Sequence, residues 1–176
     1  MNHNKKGCAC PLQSTITLKT PISILLIADV LFLIPGIWEI WLYLDNLIDL
    51  VIIVVTVLIT SFAHELIHKF VYICNNISAK ILWWPTPACK CLAPCSIRVF
   101  RVSLLSPLFL TLFWGMCCIF MAILDNPNIL FHLFLFNTLF ALFSSVSDLY
   151  WFFKLIPFNN SYIIINHGWS AEITRL

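Results

Sequence analysis

The chain has 176 residues, 61% of them apolar and only 10% charged, with a formal net charge of +2. Soluble domains average about 45–50% apolar and about 25% charged, so the composition excludes an ordinary water-soluble domain and points to an integral membrane protein whose partner is the lipid bilayer. Ten basic residues with no dense run give no footprint for nucleic acid, and the length fits one domain, 1–176.

In chain order, residues 1–20 are polar and are expected to be a loosely ordered segment. Four apolar blocks follow, Pro21–Leu44, Leu47–Ile73, Val102–Leu124 and Ile129–Ile156. Each is long enough for the ~20 residues that cross a bilayer as helix. The first block contains Pro35-Gly36, an expected kink, flanked by Asp29 and Glu39. The fold class expected is an all-α membrane protein: a four-span bundle over 21–156, built as two hairpins, with a middle loop at 74–101 and a tail at 157–176. The loop opens with Asn75-Asn76 and holds Pro85, Pro87 and Pro94, so it is not a long helix and has room for a short β-hairpin. Ile97–Val102 reads as a short strand or an interfacial segment. Trp83 and Trp84 suit headgroup depth, and Tyr162–Ile165 is a strand candidate that could pair with the middle loop. No small-residue cleavage site follows the first block, so no signal peptide is expected.

Basic residues alternate with span number. Lys5, Lys6 and Lys19 precede the first block; Lys69, Lys80, Lys90, Arg98 and Arg101 cluster between the second and third; Lys154 and Arg175 close the chain, whereas the two short turns carry only acids. The positive-inside rule then puts both termini and the middle loop in the cytoplasm of a multi-pass cell-membrane protein. Six of the eight cysteines, including Cys89, Cys91 and Cys95, fall on that reducing side, so no disulfides are expected. The C-x-C-x-x-x-C spacing lacks a fourth close ligand, and ordinary cytosolic thiols are the favoured reading.

The most specific signal is His64-Glu65-Leu66-Ile67-His68, an H-E-x-x-H inside the second block. Composition alone would produce roughly 0.002 such matches in a chain of this kind, so the pattern is read as a motif with a mechanism. Helical positions i and i+4 share a face, so His64 and His68 can hold one metal ion, with Glu65 able to reach water bound to it. Three ionisable groups in one turn of a span are expensive without a charge to bind. A catalytic zinc usually takes a third protein ligand, which must lie at the same depth. His64 is five residues from Lys69, about 7.5 Å along the helix, and Asp148 is six from Lys154, about 9 Å; Asp148 therefore leads. Asp29, about 12 Å in from the same side, is its rival, or would accept the other ring N–H of a ligating histidine. Ser144 shares a face with Asp148 and is placed to hydrogen-bond its carboxylate or a substrate backbone.

Phe62-Ala63-His64-Glu65-Leu66-Ile67-His68, a basic loop leading to Leu104-Leu105-Ser106-Pro107, and Ser147-Asp148-Leu149 in the last block together resemble the small bacterial zincin peptidases of the membrane, which are similar to the site-2 intramembrane metalloproteases. The resemblance implies that His64, His68 and Asp148 bind Zn2+ and that Glu65 is the base. The function expected is hydrolysis of peptide bonds in membrane-associated proteins near the cytoplasmic face. The alternative is a non-enzymatic protein of the same fold with a structural or vestigial metal site, acting as chaperone, sensor or partner subunit. A transporter is a weaker reading, because no Gly/Pro-broken helix pair is evident. Substrate and oligomeric state are not encoded in any motif.

Overall fold

The computed structural model describes residues 15–42, 47–84, 87–124 and 129–175, apart from a few side chains, those of Asp29 and Glu39 among them. Helix α1 (Ile22–Leu42) runs through Pro35, and α2 (Leu47–Cys74) is 28 residues long. Helices α3 (Ile97–Leu105) and α4 (Leu108–Ile123) form one broken span, and α5 (Ile129–Ser144) and α6 (Val146–Leu155) another. Among the described residues three helices, Leu47–Cys74, Ile97–Ile123 and Leu130–Leu155, are long and apolar enough to cross a membrane; Ile22–Trp38 is apolar but shorter. Much of α2 is β-branched, and it is helical nonetheless because in lipid every backbone group must be satisfied within the segment.

Helix α2 buries one stripe: Ile53, Thr60, His64, His68 and Tyr72. The last four lie at a strict i, i+4 spacing, so a single face of the helix turns inward. Midway along, Thr60 Oγ1 donates to Asn137 Oδ1 at 2.6 Å, and Asn137 Nδ2 donates to Thr56 Oγ1 and to the Leu133 carbonyl. This polar clasp ties α2 to α5. Phe32 of α1 packs edge-on against Phe136 and Phe140. Helix α2 stops at a left-handed Asn76 (φ 58°), with Ile77 N–H bonded to Tyr72 O and Asn76 N–H to Ile73 O, the paired bonds of a Schellman cap.

Beyond that cap the chain builds two antiparallel sheets. Strands β2 (Ala79–Leu82) and β3 (Ala88–Cys91) form the hairpin expected in the middle loop. The second sheet has the order β1-β6-β5-β4, with β1 at Thr15–Lys19, β4 at Cys95–Ser96, β5 at Tyr162–Asn166 and β6 at Ser170–Arg175. Cys95 pairs with Ile164, so the tail does join the middle loop. Gly168 in the β5–β6 turn has φ 96°, and a Cβ there would meet Leu82 Cδ1 at 3.2 Å and Ala88 Cβ at 3.3 Å; glycine lets this turn sit on the first hairpin. A core of Tyr72, Cys91, Ile97, Phe100, Leu155, Ile164 and Ile173 joins the sheets to the ends of α2, α3 and α6.

Three expectations are corrected. Thr15–Lys19 is not loose: it forms the edge strand β1, paired with β6 from Thr15↔Thr174 to Lys19↔Ser170; residues 1–14 lie outside the described residues. Ile97–Val102 is helix, not strand: Ser96 caps α3 by accepting from Val99 N–H, and Ile97, Phe100 and Leu104 are buried at helical spacing. The spans are also broken, the third at Ser106-Pro107 and the fourth at Ser145. Proline 107 supplies the first break. At the second, the Ser144 and Ser145 hydroxyls both donate to the Ala141 carbonyl, and Ser145 N–H turns to Leu142 O; hydroxyls competing for a helix carbonyl in this way bend the segment.

Candidate metal centre

The inward stripe of α2 carries His64 and His68 to the point where α3 and α6 begin their approach, and the break at Ser145 turns the first residues of α6 toward them. The Nε2 atoms of His64 and His68 lie 3.2 Å apart. Asp148 Oδ2 lies 3.1 Å from the first and 3.3 Å from the second. All three residues are buried, at 5%, 6% and 9% exposure. The depth argument for Asp148 thus corresponds to a real convergence of side chains from two distant segments. The side chain of Asp29 lies outside the described residues.

Hydrogen bonds behind the rings decide which way their lone pairs point. His68 Nδ1 is 3.0 Å from the Ser103 carbonyl oxygen. A carbonyl only accepts, so Nδ1 carries the proton and Nε2 of the neutral ring presents a lone pair. His64 Nδ1 is 3.4 Å from Ser144 Oγ, whose own proton goes to the Ala141 carbonyl. Ser144 is therefore left to accept, and His64 Nε2 also presents a lone pair. Ser144 was expected to serve Asp148 or a substrate; its contact is instead with His64. Asp148 Oδ2 is buried without a well-formed hydrogen bond.

Three electron-rich atoms at 3.1–3.3 Å from one another thus face a common point. Donors 2.0–2.1 Å from a tetrahedral zinc would be about 3.3–3.4 Å apart. The residues fit a small divalent cation in both spacing and donor chemistry. Glu65 completes the group: one of its carboxylate oxygens lies within 4.8 Å of a ring nitrogen of each histidine.

These groups open into a cavity of about 410 Å³. Its walls include Glu65, Ser147 and Trp151 from the helices, Pro87–Cys89 from the first hairpin and Asn166 and Trp169 from the β5–β6 hairpin. The two sheets therefore form the rim of the site. Outside the spans, burial pushes the Cys89 thiol up to about 12, with the Glu65 charge adding to the effect. Cys95 donates to Cys91, which holds Cys91 below the ordinary thiol range and Cys95 above it. The six described cysteines are free thiols. Among the described residues, the group of metal-binding residue types whose ligand atoms all lie within 4.8 Å of one another is His64, Glu65 and His68; Asp148 joins it through its contacts with the two histidines, and Cys89, Cys91 and Cys95 are not in it.

Two participants escaped the sequence reading. Ser103 acts through its backbone carbonyl, which leaves no mark in residue type. Asn166 donates to the Cys89 carbonyl and to the Tyr72 hydroxyl, joining the two sheets at the cavity rim, a contact between distant segments that leaves no mark in local sequence. Comparison with protein-family models, curated proteins and solved structures finds no match to this chain, so its functional reading stands on these residues and their geometry.

Proposed function

We propose that the protein is a zinc-dependent intramembrane metallopeptidase, acting on membrane-associated proteins near the cytoplasmic face of a cell membrane. The observation that carries this reading is the convergence of His64 Nε2, His68 Nε2 and Asp148 Oδ2 at 3.1–3.3 Å beside Glu65 and at the wall of a cavity. The three side chains would hold the ion. When bound, zinc supplies Lewis acidity toward a carbonyl and lowers the pKa of water toward ~7. Glu65 then removes a proton from water and returns it to the leaving amine. Burial of the ligands keeps the local dielectric low, which strengthens each charge interaction made there.

An intact substrate helix hides its carbonyls, so an extended segment is the better substrate form. The edge first expected at Ile97–Val102 is helix, and β3 lines the cavity together with Glu65. Leu92 N–H bonds to Ser78 O, and alternation along the ladder turns the backbone groups of Cys89 and Cys91 away from β2. A segment along that edge would lie over the cavity, with Asn166 now holding the Cys89 carbonyl.

The full topology belongs to the same proposal. Strand β1 precedes α1, β2–β4 follow α2, and β5–β6 follow α6, yet the pairings β1–β6 and β4–β5 join all three regions. That supports a crossing by α1 as well, giving four spans with both termini on one face, the face that carries Lys80, Lys90 and Arg98.

Replacing Glu65 tests the function. Glu65→Gln is expected to lower cleavage of a membrane-protein substrate by at least 10²-fold, the low end of what a general base contributes, while zinc content is unchanged. A variant that cleaves as fast as its parent would remove Glu65 as the base, and a zinc-loaded parent that cleaves no membrane-protein substrate would sink the enzyme reading in favour of a structural metal site.

A further inference from the structure

The break in the third span has a chemical consequence at the site. In an unbroken helix the carbonyl of residue 103 accepts from the N–H of residue 107. Residue 107 is proline, which has no N–H and whose ring pushes that carbonyl aside. The Ser103 carbonyl is thereby released inside an apolar bundle, where an unmatched acceptor is costly. Ser106 Oγ donates to it at 2.7 Å, Ser106 N–H at a longer 3.3 Å, and His68 Nδ1 at 3.0 Å. Of these donors only His68 comes from another element.

We infer that Pro107 is a positioning residue for the metal site: by withholding an N–H from the Ser103 carbonyl it reserves that carbonyl for His68, which fixes the tautomer that turns Nε2 toward His64 and Asp148. The inference rests on the reading of His64, His68 and Asp148 as metal ligands. Ser103 Oγ is also 3.1 Å from His68 Nδ1, but a hydroxyl can donate or accept and does not by itself select a tautomer. The carbonyl does. It has two lone pairs, and the Ser106 hydroxyl and His68 already fill them. A backbone N–H restored at position 107 would be aligned by the helix and would displace the His68 bond. Losing the hydrogen-bond partner of a ligating histidine typically weakens metal binding about 10–100-fold.

The test uses the full-length protein in lipid nanodiscs, as parent, as Pro107→Ala and as a chain with lactic acid at position 107. The lactate residue has alanine's methyl group and an ester oxygen in place of the N–H, so the last two differ in that N–H and in a somewhat weaker Ser106 carbonyl, which accepts from Phe109 N–H and not from His68. Zinc affinity is read by competition with a chromophoric chelator, and the His68 tautomer by nitrogen-15 NMR of the metal-free protein. The parent should carry the His68 proton on Nδ1. Pro107→Ala should move it toward Nε2 and weaken zinc binding about 10–100-fold, and the lactate chain should behave like the parent. Equal affinity and equal tautomers in the alanine and lactate chains would overturn the inference. So would a His68 ring in the parent whose Nδ1 bears no proton, a result that stands even if Pro107→Ala does not fold. A parent that binds no zinc while His68 holds its proton on Nδ1 strikes at the metal reading and not at the role of the carbonyl.

Discussion

At the scale of single residues, the choice between Asp148 and Asp29 carries the most weight. Asp148 Oδ2 touches both histidine Nε2 atoms, so Asp148→Ala should reduce zinc affinity by more than the about 10–100-fold that follows loss of an outer hydrogen-bond partner. Asp29→Ala should leave zinc binding within a few-fold of the parent. Chelator competition on the two variants measures both. If Asp29→Ala released the metal and Asp148→Ala kept it, the third ligand would have to be reassigned. The parts of this site that the sequence made legible are those that depend on regular geometry. The four-residue spacing of His64 and His68 fixes their common face, and the rise of an ideal helix puts Asp148 at their depth. What stayed hidden depends on irregularity: a carbonyl released by a proline, and a hydroxyl at Ser144 whose proton is drawn off by Ala141, leaving it to serve His64.

The elements show the same division. The β2–β3 hairpin was legible because three prolines forbid helix in that loop, and β5 because Tyr162–Ile165 is an apolar, β-branched run. Helix α3 was misread. Its residues Ile-Arg-Val-Phe-Arg-Val alternate in part, yet Ile97, Phe100 and Leu104 face inward while Arg98 is exposed, a period closer to 3.6 than to 2. Arg101 itself has a role that charge counting missed. Its Nη2 donates to the carbonyls of Leu155, Ile156 and Phe158, the groups left open where α6 ends. It thereby ties α3 to the helix that carries Asp148. Arg101→Met keeps much of the aliphatic stem and removes these bonds. It should destabilise the protein by about 1–3 kcal/mol, the range for hydrogen bonds made by a charged group. Thermal unfolding in detergent reads this directly, and an unchanged melting temperature would show that water or lipid headgroups satisfy those carbonyls equally well.

For the molecule as a whole, the sheet that rims the site constrains how the chain threads the bilayer. Strands β1 and β6 lie at opposite ends of the sequence but pair over five residues, from Thr15↔Thr174 to Lys19↔Ser170. Strand β1 was not legible as an ordered element because its partner is more than 150 residues away, and an isolated strand has nothing to stabilise it. In the proposed topology this pair keeps both termini on one side. Three crossings, by α2 and the two broken spans alone, would leave the N-terminal strand and the tail on opposite faces and could not form it. The proposed four crossings could, and they would also bring the middle loop to that face, where Cys95 pairs with Ile164. Epitope tags at the N-terminus, at the C-terminus and within residues 125–128 make this measurable in sealed vesicles of known orientation. The two terminal tags should be reached by antibody from the same side, and the tag within 125–128 from the other. Terminal tags on opposite sides would rule out the β1–β6 pairing in the membrane, and with it the fourth crossing by α1.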